Sequence, residues 1–364
     1  MTDVATQPLT VSKLVAPATL DSPDAGPFLE TVRLANAVCR HYTGHDYLDQ
    51  EPAEMLAPWH DQTDWGHVGF TAARDARIIG AVTAMHAQRD DSETLEFDLM
   101  VDPEHWGEGV EEALLAAIEQ EAQRLGRTVV QTWTLHRPEP PSEPLQPSTG
   151  WGVIPANDPQ TRFHLENGYT LEQVERNSAF DLRGSFDPVE RMLAEALAAA
   201  GDDYRVVTWT SPTPEEHIDS FAYVISRMST DVPAGGLVIE EERWDADRVR
   251  RRDARLKNQG LTVSVACVEH VPTGRIVAYN ELVIGEDRTA ATQQYGTLVV
   301  KEHRGHRLGV IIKCANLLRW REIAPESPRV STFNAEENRH MLDINEAIGF
   351  VPVSYAGAWK KVLA

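Results

Sequence analysis

A short basic turn in the C-terminal half of the sequence could bind a phosphorylated ligand. It follows an apolar strand-like stretch, opens a helix, and places His303, Arg304, His306 and Arg307 around Gly305. The first N–H groups of a helix have no partner within the helix, and the helix dipole adds partial positive charge there. Glycine lets the backbone approach a phosphate closely, and arginine pairs well with phosphate oxygens. The turn therefore predicts a site for a pyrophosphate or a ribose phosphate.

The N-terminal half repeats this turn with the opposite charge. The two copies lie 198 residues apart, as the pair Gly107 and Gly305 shows. Where the second copy is basic, the first carries four glutamates, namely Glu104, Glu108, Glu111 and Glu112. Like charges repel, so this acidic turn should disfavour a phosphate. We expect the second copy to bind a phosphorylated ligand and the first to bind it poorly or not at all.

The repeat extends beyond the turns and defines the fold class. Two strand-like stretches precede each turn, and a long amphipathic helix, another strand and a short helix follow it. Each short helix ends at a glycine before an aromatic residue, Gly168 and Gly349, which suits a left-handed C-cap. This order predicts an α/β (α+β) protein in which helices cover a mixed sheet. We expect an N-terminal domain at residues 1–185, a linker helix at 186–202 and a C-terminal domain at 203–364.

Composition narrows the range of partners. The chain has 364 residues, 42% hydrophobic and 25% charged, with a formal net charge of -22. This negative field disfavours nucleic acid and anionic membranes and would attract a cationic substrate. We therefore expect no nucleic-acid partner and no membrane span, in a monomer or homodimer. The three scattered cysteines predict neither a disulfide framework nor a metal site, which fits a cytoplasmic location.

The two turns resemble the signature of the GNAT (Gcn5-related N-acetyltransferase) family, an apolar strand followed by a Gln/Arg-x-x-Gly-x-Gly/Ala turn and a helix. Residues 101–110 have the Val-x-Pro start and both glycines, but Glu104 replaces the usual Gln or Arg. Residues 299–309 have the Arg-Gly turn, but they depart at Glu302 and at Arg307, which stands where the second glycine is usual. The resemblance covers both halves and is closest to tandem GNAT proteins of the mycothiol-synthase type.

The resemblance implies two tandem GNAT folds related by a pseudo-twofold axis, each with a splayed mixed sheet flanked by helices. It implies acetyl-CoA as co-substrate in the C-terminal domain, with a degenerate N-terminal copy. A main-chain N–H near Leu298 or Val299 would hold the thioester oxygen, and Asn338 would contact the pantetheine arm. The backbone amides that would cradle the pyrophosphate are those of Arg304, Gly305, His306, Arg307, Leu308, Gly309 and Val310.

Transfer of an acetyl group to an amine also needs a base for the ammonium proton and an acid for the thiolate. For the base we favour Glu281, a polar residue in an apolar run, although it could simply face solvent. Many family members place a tyrosine four residues before the terminal glycine, where this chain has Asn345 and, in the first half, His164. Tyr355 on the final strand is a substitute acid, and water could also supply that proton.

Three functions remain open from the sequence. The favoured one is an acyltransferase that moves an acetyl group from acetyl-CoA to a small-molecule or peptide amine in the C-terminal domain, without a metal. The second is a non-catalytic protein that binds or senses CoA, because Asn345 replaces the tyrosine. The third is catalysis in the N-terminal domain with His164. No motif identifies the acceptor.

Overall fold

A computed structural model of the chain describes residues 8–89 and 91–363. The chain divides into two compact units, and neither is a continuous stretch of sequence. Unit 1 comprises Met1–Val174, Gly235–Val238 and Tyr355–Ala364, and unit 2 comprises Glu175–Ala234 and Ile239–Ser354. Both units combine helices with a mixed sheet, so the predicted α/β class is confirmed.

Unit 1 is built on an antiparallel sheet with one parallel pair. Its elements, including a strand that continues into unit 2, are β1 (Thr10–Lys13), α1 (Gly26–Thr43), α2 (Pro52–His60), β2 (Trp65–Arg74), β3 (Arg77–Ala87), β4 (Thr94–Val101), α3 (Val110–Arg124), β5 (Val129–His136), β6 (Pro144–Leu145), β7 (Ile154–Pro155), α4 (Pro159–Glu166) and β8 (Thr170–Asp181). Strands β1 to β4 pair antiparallel in chain order, and β4 pairs parallel with β5. Apolar residues of α3 and of the strands form the core, as Leu114 and Ile118 do.

Unit 2 repeats this plan. Its elements are α5 (Asp187–Ala200), β9 (Tyr204–Thr210), α6 (Ile218–Ser226), α7 (Met228–Asp231), α8 (Ala246–Asn258), β10 (Thr262–His270), β11 (Arg275–Ile284), β12 (Thr292–Val299), α9 (Leu308–Ile323), β13 (Arg329–Ala335), α10 (Arg339–Ile348) and β14 (Val351–Val362), whose last part belongs to unit 1. Strands β9 to β12 pair antiparallel in chain order, and β12 pairs parallel with β13.

The internal repeat is confirmed at the level of single residues. Strands β4 and β12 end at Val101 and Val299, and helices α3 and α9 begin at Val110 and Leu308, so both pairs are 198 residues apart. In each copy a short 3-10 turn separates the strand from the helix. Gly349 adopts φ +114° at the end of α10, as predicted for a left-handed cap.

The units differ from the ranges expected from sequence at four places, one of which is the segment Gly235–Val238 that belongs to unit 1. Strand β8 crosses from unit 1 to unit 2 at Glu175, and its Glu175–Asp181 part pairs with β13. Strand β14 returns to unit 1 at Tyr355, and its Tyr355–Val362 part pairs with β5. Helix α5, expected as a linker, packs against α9 within unit 2. Pairing between strands far apart in sequence determines these boundaries, and local composition does not record it.

Membrane crossing was excluded from the sequence by the lack of a long apolar run. Among the described residues, none of the helices is both long and apolar enough to cross a bilayer.

Candidate active site

The basic turn of unit 2 presents a row of unpaired backbone donors at the start of α9. Gly305 adopts φ +89°, and a side chain added there would meet no atom within 4 Å, so this face of the turn is open. Within residues 8–89 and 91–363, no acceptor pairs with the N–H groups of residues 305–309. Such a row of donors at a helix N-terminus binds anions, and phosphates in particular.

Arg307 holds this turn in a backbone conformation that arginine rarely adopts. Its φ is +57° and its ψ 18°, in the left-handed region, where Gly109 of unit 1 has φ +84°. A residue with a side chain costs about 1 kcal/mol or more in such a conformation. Arg307 also makes no side-chain cap to α9 and is exposed. The arginine thus keeps the backbone shape of the missing glycine and adds a cation at the positive end of the helix dipole.

The other basic side chains of the turn contact residues of unit 2. The Arg304 guanidinium donates to the carbonyls of Val299 (3.2 Å) and Asp231 (3.1 Å), which ties the turn to β12 and α7. His303 shares a hydrogen bond of 3.1 Å with the Tyr204 hydroxyl, and burial lowers its pKa. The ring of His306 lies 5.0 Å from that of Tyr204. These side chains shape the turn, so Arg307 is its most available cation.

In unit 1 the equivalent turn is filled by its own carboxylate. The N–H of Gly107 donates to Oε1 of Glu111 at 2.6 Å, and Glu111 is buried. Burial raises the pKa of Glu111, and the N–H groups of Gly107 and Val110 offset part of that rise. A carboxylate that accepts from the turn takes the place that a phosphate oxygen would need. Unit 2 has Gly309 at the position of Glu111.

The two strands on either side of each turn also separate to different extents. In unit 2, β12 and β13 pair only at Thr292 with Val330 and at Gln293 with Ser331 before they separate. In unit 1, β4 and β5 pair at four positions. Strand β12 also bulges, because Tyr295 and Gly296 stand opposite a single residue of β11. The β3–β4 register has no such shift. Bulges redirect backbone N–H groups and are frequent beside active sites.

The residues expected along the pantetheine arm surround this opening. Leu298 is buried and pairs with Tyr279, whereas Val299 and Val310 are half-buried. Leu308 and Gly309 are buried at the start of α9. Asn338 precedes α10, and its N–H donates to the Ala335 carbonyl at 2.9 Å. Unit 2 therefore contains all ten predicted cofactor residues.

Lys313 of α9 lies inside unit 2. It is fully buried, and its Nζ donates to Oε1 of Gln294 at 3.0 Å. The Gln294 amide in turn donates to the hydroxyl of Thr332 at 2.7 Å, which bridges β12 and β13 where they separate. Burial lowers the pKa of Lys313 to about 7. This lysine supports the base of the opening and does not contact the turn.

Glu281, the predicted base, forms a buried ion pair. Both of its carboxylate oxygens accept from the Arg252 guanidinium of α8 at 2.8 Å, and Glu281 is almost fully buried. It stands opposite the bulge of β12, on the sheet face away from α9. Local sequence could not identify Arg252 as its partner, because the two residues lie on separate elements.

The two acid candidates lie in different units. Asn345 is buried on α10 and donates to the side-chain oxygen of Asn334 at 2.7 Å, and its own Oδ1 has no partner within the described chain. Tyr355 belongs to unit 1, where it pairs with His136 of β5. The structure therefore does not place Tyr355 in the unit that holds Leu298 and the basic turn.

Unit 1 has buried neutral histidines of its own. His164 donates through Nδ1 to the Gln160 carbonyl at 2.7 Å and stacks on Trp359, which leaves Nε2 buried without a partner. Burial lowers the pKa of His164 to about 4 and that of His136 to about 3. Within the described residues, no group of three or more histidine, cysteine or acidic side chains is arranged to hold a metal ion.

Sequence and structure comparisons agree with this architecture. Residues 33–145 match the model of the Acetyltransferase (GNAT) family. A tandem GNAT protein from the clavulanic acid biosynthesis pathway, in a structure without acetyl-CoA, superposes with a TM-score of 0.72 at 21% identity, over 98% of each chain. The chain therefore has the fold of a tandem GNAT protein. A GCN5-related N-acetyltransferase from Sphaerobacter thermophilus has a TM-score of 0.60 at 14% identity, over 98% of this chain and 97% of the other.

The family match over residues 33–145 and the shared fold support a transferase, because the general chemistry of GNAT enzymes is acyl transfer. GNAT enzymes generally use acetyl-CoA and act on amines. A search of curated protein sequences found no significant match. The family match lies in unit 1, whereas the open basic turn lies in unit 2, so the sequence likeness and the open turn occur in different units.

Proposed function

We propose that unit 2 transfers an acetyl group from acetyl-CoA to an amine, and that unit 1 is a degenerate copy without a CoA phosphate site. The contrast between the two turns carries this proposal. In one turn Glu111 accepts from the Gly107 N–H, and in the other the N–H groups have no acceptor among the described residues, with Gly309 in place of the glutamate and Arg307 added. The bulge of β12 and the wider opening beside it support the same assignment.

The geometry suggests how unit 2 would act. The turn of residues 304–309 would hold the pyrophosphate, and the unpaired edge of β12 would pair with the pantetheine arm as an added strand. A main-chain N–H near Leu298 would stabilise the oxyanion that forms when the amine attacks the thioester. The pairing of Glu281 with Arg252 favours a different proton acceptor.

Isothermal titration with acetyl-CoA tests the assignment. Gly309→Glu places in unit 2 the carboxylate that fills the turn of unit 1, and it should weaken binding at least tenfold. The added Cβ meets the movable Cδ1 of Ile344 at 3.1 Å, a contact that a small shift relieves. Gly107→Glu, which adds a glutamate to the turn of unit 1 instead, is the control and should bind as the wild type does. Loss of binding in Gly107→Glu, with binding kept in Gly309→Glu, would contradict the proposal.

Catalysis in unit 1 remains the second candidate, because two observations favour it. The family match lies there, and the unpaired Nε2 of His164 could accept a proton. Thiol release from acetyl-CoA with a panel of amines separates the candidates. Release that survives Gly309→Glu but not His164→Phe would place the chemistry in unit 1. Binding of acetyl-CoA without thiol release from any amine would instead indicate a CoA-binding protein.

A further inference from the structure

Two polar side chains of β8 lie on one sheet face beside the opening between β12 and β13, and Glu337 lies near one of them. Glu175 and Asn177 occupy alternate positions of β8, and Glu337 follows the end of β13. The Arg176 side chain lies on the opposite face of the sheet. There it pairs with Glu336, which precedes α10, and with Glu346 of α10. Glu175 and Asn177 therefore face away from α9 and α10, because side chains alternate along a strand.

Asn177 lies where the opening begins. Ser331, the last residue of β13 that pairs with β12, donates through its hydroxyl to Oδ1 of Asn177 at 2.8 Å. Asn177 is fully buried, and within the described residues its amide nitrogen has no acceptor. A buried donor without a partner is energetically unfavourable, so a ligand oxygen there would relieve a penalty.

Glu175 lies two residues further toward the wide end of the opening, opposite Ala335. Its side chain is half-buried, and within the described part of the chain nothing donates to it or forms an ion pair with it. Burial and the nearby Glu337 carboxylate raise the pKa of Glu175 to about 7. A carboxylate that is accessible, unpaired and half-protonated near neutral pH has the properties of a general base.

We propose that Glu175, Asn177 and Glu337 form the acceptor subsite of unit 2, and that the acceptor is a primary amine that also carries a hydroxyl or carbonyl oxygen. This rests on the function proposed above. The two carboxylates attract the ammonium group, and the Asn177 amide donates to the oxygen. Residues two apart on a strand are about 6.6 Å apart, which sets the approximate spacing between the two groups of the acceptor.

In this subsite Glu175 removes one proton from the ammonium nitrogen. The free electron pair then forms the C–N bond to the thioester carbon, and the C–S bond breaks with its electrons on sulfur. The nitrogen loses its second proton to the departing thiolate, directly or through water. Glu175 returns its proton to solvent, so acetyl-CoA and the ammonium yield the amide, the free thiol and one proton.

Thiol release with 4-aminobutanol and with pentylamine, which have equal lengths, tests the subsite. The wild type should prefer the amino alcohol, and its rate should rise with pH around a midpoint near 7, because the base must be deprotonated. Glu175→Gln should lower kcat about 10²-fold or more without that rise and with unchanged acetyl-CoA affinity. Glu337→Gln removes a like charge, so the midpoint should move to lower pH. Asn177→Ala should abolish the preference for the amino alcohol.

A second measurement follows Glu175 directly. In protein labelled with ¹³C at the glutamate carboxyl, the resonance absent from Glu175→Gln should titrate near pH 7 in the wild type. Titration below pH 5, or a wild-type pH profile in Glu175→Gln, would overturn the assignment. So would a lack of thiol release with both amines although acetyl-CoA binds. Each of these outcomes leaves the Gly309→Glu result intact, whereas failure of the proposed function appears in that binding experiment.

Discussion

Replacing Arg307 with glycine should stabilise the protein and weaken acetyl-CoA binding at once. Arg307 has φ +57°, and relief of this backbone strain is worth about 1 kcal/mol. Removing a cation from the positive end of the α9 dipole adds about 0.3–1 kcal/mol. The greater freedom of glycine in the unfolded chain subtracts about 0.5–1 kcal/mol. The net gain is about 0.3–1.5 kcal/mol, or a rise in Tm of about 1–6 °C for a unit of this size.

Binding should change in the opposite direction. A charge-assisted hydrogen bond from Arg307 to a phosphate oxygen contributes about 1–2 kcal/mol, because the residue is exposed and partly screened. The Kd for acetyl-CoA should therefore rise roughly 5- to 30-fold. Differential scanning calorimetry of the free protein and isothermal titration measure the two effects separately.

Two variants control for strain and charge. Arg307→Lys keeps both the cation and the strain, so its stability and affinity should stay near the wild type. Gly109→Arg places the same side chain in the turn of unit 1, where it should add strain without adding a binding site, because Glu111 fills that turn. If Arg307→Gly lowers Tm, or leaves the affinity for acetyl-CoA unchanged, Arg307 is not a strained phosphate contact.

Three further predictions concern folding and pH. A fragment of residues 203–364 should be insoluble, because it lacks Glu175–Asp181, the antiparallel partner of β13. A fragment that is soluble and monomeric by size-exclusion chromatography would contradict this prediction. Lys313 has its folded pKa lowered to about 7 from 10.5, so the unfolded chain binds more protons between these values and stability should rise with pH across them. Urea unfolding at pH 7 and pH 10 should show a gain of up to about 4 kcal/mol that Lys313→Met loses. His136 and His164 have folded pKa values of about 3 and about 4, so stability should fall as pH drops below 6.5, and NMR at pH 5 should still show both rings neutral.

Local patterns were sufficient to predict the repeat and the turns. The strand, glycine turn and helix lie within about 25 residues, and hydrophobic periodicity and glycine conformation act over that range. The charge contrast between the two turns was also visible in the sequence, but the contact that Glu111 makes with its turn was not. The sequence suggested general repulsion by four glutamates, and the structure shows that one of them, Glu111, is itself the ligand of the turn. Its position four residues after Gly107 was the available signal.

The catalytic groups were harder to predict because they depend on contacts between distant elements. In the sequence, Glu281 is a carboxylate among apolar neighbours with no visible partner. In the structure, Arg252 of α8 forms an ion pair with it. Glu175 attracted no attention, since its raised pKa depends on burial and on Glu337, 162 positions later in the chain. Environment determines the chemistry of such a group, and the residue type alone does not.

The sequence by itself determined that this protein has two copies of one α/β plan, and that only the second has a basic turn before its helix. Both properties follow from side-chain type and spacing over short stretches. The tertiary structure decided where each unit begins and ends, because β8 and β14 each contribute residues to both units. It also decided which polar groups remain available, because hydrogen bonds and burial leave Glu175 free and occupy Glu281.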